Sequence, residues 1–148
     1  MTPRSSRGFT LIEFLLTVGV FLTLAGMAPA FYSRFVLQDA VAETADRLAF
    51  SLRNASGFSL AGKDDSSWGV AIDGTEIVLF RGANFATRDA SADRRVSIPS
   101  TVAITGFTET TFARVSGAPS ASATVSITAS GGAARTVRLN EFGVVSRE

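Results

Sequence analysis

The sequence predicts an α+β protein: a long N-terminal helix, apolar in its first half and amphipathic in its second, packed on a small antiparallel β-sheet or sandwich. Three observations carry this expectation. Residues 14–33 are without charge and mostly apolar. Leu37, Val41, Leu48 and Leu52 then recur at helical spacing. From Trp68 onward the apolar period shortens to two, the period of a strand with one face buried. The expected divisions are a polar segment 1–8, an apolar helix 9–33, an amphipathic helical half 34–57 and a β domain 58–148.

The chain has 148 residues, 14 basic and 13 acidic, with a formal net charge of +1. Its mean hydropathy of +0.27 is high for a chain that is 18% charged. It has no Cys and no His. That removes disulfides, thiolate nucleophiles, Cys-type zinc sites and the Ser-His-Asp triad. A charge near zero gives no electrostatic reason to expect a dedicated nucleic-acid binder. No enzyme activity, cofactor or metal is expected.

The apolar half comes first. Residues 1–8 carry Arg4 and Arg7, Glu13 is the one charge between Phe9 and Ser33, and Arg34 follows. The 20 residues from Phe14 to Ser33 would make roughly 30 Å of helix at ~1.5 Å per residue, enough for a bilayer core. The flanking arginines favour an orientation with the N-terminus in the cytoplasm and the rest of the chain outside. A secretory signal fits poorly, because the apolar run is too long and Ala28-Pro29-Ala30 places a proline inside the small-x-small pattern. A plain anchor leaves Glu13 unexplained. A carboxylate inside an apolar helix is costly, and is read as functional unless it sits at the interface and complements the helix dipole. Pro29, with Gly19 and Gly26 upstream, marks a kink or melted stretch.

The amphipathic half runs along Leu37, Val41, Ala45, Leu48 and Leu52, with its charges largely off the stripe, and is expected to end near residues 54–57. The sequon Asn54-Ala55-Ser56 is taken as chance.

The β domain starts with a hairpin, 70–72 and 77–80 around Asp73-Gly74. Further strands are expected at Val96–Ile98, Val102–Ile104, Phe112–Val115, Val125–Ile127, Val137–Leu139 and Val144–Val145. Residues 61–67 and 82–95 read as charged loops. Trp68 reads as a core aromatic without a second aromatic beside it. Asp64 and Asp65 are too few and too close for a calcium loop and read as solvated.

Gly8-Phe9-Thr10-Leu11-Ile12-Glu13, after a short basic leader and before about twenty apolar residues, closely resembles the leader junction of type IV pilins and type II secretion pseudopilins. The resemblance implies that prepilin peptidase cuts between Gly8 and Phe9 and that Phe9 is N-methylated. It gives Glu13 an assembly role, pairing with the N-terminal amine of a neighbouring subunit. The implied partners are the peptidase, other pilins or pseudopilins in a helical filament, and an inner-membrane platform. Localisation passes from the membrane to a periplasmic or extracellular filament. Trp68-Gly69-Val70, Val78–Gly82 and Val137–Val144 resemble the GspH/FimT family of minor pseudopilins and minor pilins. Some FimT-like pilins bind DNA through arginines after the final hairpin glycine. Here Gly143 is followed by Val144, Val145 and Ser146, and Arg147 is the one basic residue beyond it. Loss of Arg4 and Arg7 also leaves 12 basic against 13 acidic residues, a net of −1. A structural subunit is therefore favoured over a DNA-uptake receptor or adhesin.

Overall fold

A computed structural model describes residues 8–148, with the backbone alone at residues 28–31 and 33. The architecture is α+β, a long N-terminal helix packed on antiparallel sheets. Helix α1 spans Leu11–Leu60. It runs past the expected end because residues 54–60 contain no proline, and Ala55 and Ser59 both find buried places. Pro29 is a helical residue within α1, which continues through it without interruption. The chain divides into two compact units, Met1–Phe35 and Val36–Glu148.

In the second unit, a short 3₁₀ turn at Lys63–Asp65 leads to β1 (Trp68–Asp73), β2 (Glu76–Arg81), β3 (Asp89–Ser97), β4 (Val102–Thr105), β5 (Glu109–Phe112), β6 (Ala123–Ala129), β7 (Ala134–Leu139) and β8 (Val145–Arg147). They form two antiparallel four-stranded sheets, ordered β3-β2-β1-β5 and β4-β6-β7-β8. Alternation decides what is buried. Trp68 and Val70, Ile77 and Leu79, Val125 and Ile127, and Val137 and Leu139 share one core with Val41, Leu48 and Leu52 of α1. The helical face is otherwise small: Thr44, Ala45, Ala49, Ser51, Ala55 and Ser59 are buried on it. Its hydroxyls are satisfied locally. Thr44 and Ser51 donate to the carbonyls of Ala40 and Arg47, and Ser59 Oγ accepts the Trp68 N–H at 3.0 Å.

Several elements differ from expectation. Residues 89–95 are strand, not loop. Three of their four charges pair along a sheet edge: Asp89 with Arg81, Asp93 with Arg95, and Arg95 also with Glu76 at 2.8 Å and Asp73 at 3.3 Å. A charged edge also resists pairing with other chains. Hydrogen bonds from Ser91 and Arg81 hold Asp89 down to about 2, and the Asp89 contact raises Arg81. β5 lies earlier than expected, at Glu109–Phe112, and Val115 sits in the following turn at φ 73°. Here a buried threonine, Thr110, takes a strand position that hydropathy alone does not mark, sharing a hydrogen bond with Ser120. β8 begins at Val145. Trp68 does have an aromatic neighbour: Phe58 lies edge-on at 5.0 Å, and the Trp68 indole donates to the Lys63 carbonyl.

The outer face of the first sheet has its own small core. Ala71, Val78 and Phe80 are buried there beneath Phe85. Arg88 stacks on Phe85 at 3.7 Å and pairs with the nearly buried Asp93 at 3.0 Å. Gly69 makes room for this core, because a Cβ there would come within 2.5 Å of Phe80 Cζ and 2.7 Å of the Thr110 carbonyl oxygen.

Candidate processing and assembly site

Gly8, Phe9 and Thr10 precede α1 and are exposed. Thr10 is the N-cap. Its Oγ1 accepts the Glu13 N–H at 3.3 Å, and its carbonyl accepts the Phe14 N–H at 3.1 Å. Glu13 is therefore the third helical residue, in the Thr-x-x-Glu pattern of a capping box. Its own carbonyl accepts the Thr17 hydroxyl at 2.6 Å. The backbone of Glu13 is thus engaged on both sides by threonines. Its carboxylate takes no hydrogen bond or ion pair among the described residues. It stands in the first turn, where the helix dipole favours negative charge. Thr10 and Thr17 were not singled out from the sequence, although Thr-x-x-Glu before an apolar run is the signal for such a cap.

From this turn to Met27 the helix is exposed on every side. Phe14, Leu15 and Leu16 are exposed in succession, as are Val20, Phe21 and Leu22, and Phe9 is 84% exposed. Consecutive positions on an α-helix point about 100° apart, so no single face can hold them. A helix apolar all round is stable only in lipid or among other helices. Among the described residues no helix is long and apolar enough to cross a membrane. The stretch with described side chains, Leu11–Met27, amounts to about 25 Å against a bilayer core of ~30 Å.

Arg4 and Arg7 lie outside the described residues, as does the side chain of Pro29. The site set aside at Asp64 and Asp65 is occupied by pairing: Asp64 meets Arg81 at 3.5 Å, and Asp65 meets Arg114. Among the described residues no group of three or more acidic side chains could hold a metal ion.

Comparison with known protein families finds one match bearing on this site. Residues 3–29 match the family described as the prokaryotic N-terminal methylation motif. The match covers Arg4, Arg7, Gly8, Phe9, Glu13 and most of the apolar stretch. It supports a type IV pilin-like protein, processed by prepilin peptidase, anchored in a membrane and then assembled with other pilins. It leaves the β domain uncovered, and comparisons with curated proteins and with solved structures find no match.

Proposed function

We propose that this chain is a structural subunit of a type II secretion pseudopilus or type IV pilus, of the minor class that the GspH/FimT resemblance implies. The observation that carries the reading is the methylation motif over residues 3–29, set on a helix whose capped first turn presents Glu13. In this reading the peptidase cuts between Gly8 and Phe9, and Phe9 becomes a methylated N-terminal amine. An amine and a carboxylate withdrawn from water attract strongly, and each compensates the other's desolvation only when paired. Pairing the Phe9 amine of one subunit with Glu13 of the next fixes an axial stagger. The apolar surface of residues 11–27 then moves from a single-pass, N-in membrane position to the filament core. Pro29, which lacks an N–H for the helix ladder, is the point at which we expect the helix to yield.

Two variants test the halves of this reading separately. Gly8→Ala should block leader removal, read as retained precursor mass and an unmethylated chain. Glu13→Ala should be cut normally but enter filaments at least tenfold less, read as subunit recovered in sheared filaments. Normal trimming of the first variant would remove the assigned junction, and normal incorporation of the second would remove the assembly role. A nucleic-acid receptor role is weaker, since Arg138 and Arg147 are engaged by Glu148 and Asp46.

A further inference from the structure

We propose that an apolar knob at one end of the globular unit docks into an arginine-rimmed cleft of a second copy, joining copies head to tail. The inference rests on the filament reading above and requires that copies of this chain stand beside one another in the filament.

The knob consists of Leu60, Val115, Phe142 and Val144, which are 54%, 70%, 76% and 60% exposed. They come from three parts of the chain and converge. The Val115 N–H donates to the Ser59 carbonyl at 2.9 Å, beside Leu60. A Cβ on Gly117 would meet Leu60 at 2.5 Å, and one on Gly143 would come 3.0 Å from the Gly117 carbonyl oxygen. Phe142 and Val144 flank that Gly143. Their loop is held in shape, because Asn140 Oδ1 accepts the N–H groups of Phe142 at 3.0 Å and Val144 at 2.8 Å. Val115 is kept at φ 73°, a region that β-branched residues avoid. Such strain persists where surrounding structure imposes it, and it concentrates at working surfaces. Glu141 stands exposed beside Phe142.

The cleft has a volume of about 480 Å³ and lies along α1, with Ala42 and Ala45 on one wall and Arg53, Arg135 and Arg147 around it. Arg135 and Arg147 belong to the sheet face on which Val137 and Val145 are buried, the face toward α1. Asp46 engages Arg147. Arg53 and Arg135 donate instead to main-chain carbonyls, of Val145 at 2.9 Å and Ala134 at 3.3 Å. Among the described residues neither has a carboxylate partner. They match Glu141, and the alanine wall matches Phe142. Asp46 and Glu148 also border the cleft, which disfavours a continuous polyanion and favours a single carboxylate beside an apolar side chain.

Knob and cleft sit at different levels of α1, beside residues 56–60 and 42–53 respectively. At ~1.5 Å per residue that is an offset of roughly 15–20 Å. One copy therefore cannot close the contact on itself. A surface that meets a different surface of another copy repeats in one direction, and builds an open helical array where the rotation does not close into a ring.

The chain has no cysteine, so cross-linking starts from a clean background. Full-length Ala42→Cys and Phe142→Cys chains, expressed in a host that assembles the filament, are oxidised in the membrane. Each alone should give no disulfide dimer, the two together should give dimers, and the double variant should give a ladder. Arg135→Glu should lower the yield about thirtyfold or more, the lower end of the scale for truncating one partner of a buried charge pair, and adding Glu141→Arg should restore it. Phe21→Cys, on the exposed apolar helix, reports helix packing separately. No 42–142 product while the leader is removed and Phe21→Cys cross-links would overturn the contact and leave the filament reading standing. Loss of all three would overturn both. Capture of Phe142→Cys by a different subunit alone, or DNA binding abolished by Arg135→Glu without any cross-link, would also overturn it.

Discussion

The two halves of α1 share one backbone geometry and opposite surroundings. Between Val41 and Ser59 the buried residues fall on a single stripe, and most are small. Between Leu11 and Met27 large apolar side chains are exposed at consecutive positions. The first pattern belongs to a helix that meets sheets on one side and water on the other. The second belongs to a helix whose surroundings are the same on every side. Side-chain size follows from this difference. A sheet packs closely on a helix when alanine, serine and threonine let the backbones approach. A helix in lipid or among loosely ordered neighbours gains from bulk in all directions.

The comparison breaks if equivalent truncations act alike. Leu48→Ala removes a fully buried side chain and should cost the globular unit about 2–5 kcal/mol, with cavity formation setting the upper end. Leu16→Ala removes an exposed one and should change the same unfolding transition by less than about 0.5 kcal/mol. Its effect should appear instead as weaker retention in membranes. Thermal or denaturant unfolding of both variants in detergent checks this. Equal shifts would mean that the apolar half folds as part of the globular core.

Gly69→Ala probes a smaller effect on the same unit. The added methyl would collide with the Phe80 ring and the Thr110 carbonyl oxygen. Overpacking of this kind typically costs about 1–3 kcal/mol. The double variant Gly69→Ala/Phe80→Leu should recover part of that loss, because the ring is the nearer obstacle. A single variant as stable as the parent would mean that the outer core under Phe85 is loosely packed.

The legible and illegible parts of the fold divide along similar lines. The helical stripe through Val41, Leu48 and Leu52 and the alternation at Val125–Ile127 and Val137–Leu139 could be read directly, since burial of one face imposes a period. β3 could not, because its first seven residues, five polar and two alanines, show no apolar alternation, and their cross-strand charge pairs leave no mark in the hydropathy. β5 was displaced because Thr110 is buried through a hydroxyl partner from Ser120, which no local pattern announces. The outer core around Phe80 depends on residues 82–88 folding back, a tertiary event. At the N-terminus the methylation motif around Gly8, Phe9 and Glu13 was visible in the sequence, while the capping role of Thr10 was encoded in Thr-x-x-Glu and passed over beside the stronger signal.

The charged edge offers the mildest test, and it bears on why β3 is ordered at all. Asp89 is depressed to about 2 by hydrogen bonds from Ser91 and Arg81, against about 4 for an unperturbed aspartate. A carboxyl whose pKa is lower in the folded state binds fewer protons there than in the unfolded chain. Its contribution to stability is therefore complete above about pH 4 and is lost as pH falls through about 2. Asp89→Asn removes that titration. The variant should unfold slightly more easily than the parent at neutral pH, and the gap should narrow as both are acidified across this window. The pair is exposed, so the effect should be small and should shrink further in high salt. Thermal midpoints of both proteins from pH 6 to 2 give the comparison. Parallel curves would assign the order of β3 to its backbone ladder with β2, with the Arg81–Asp89 contact following from that order rather than supporting it.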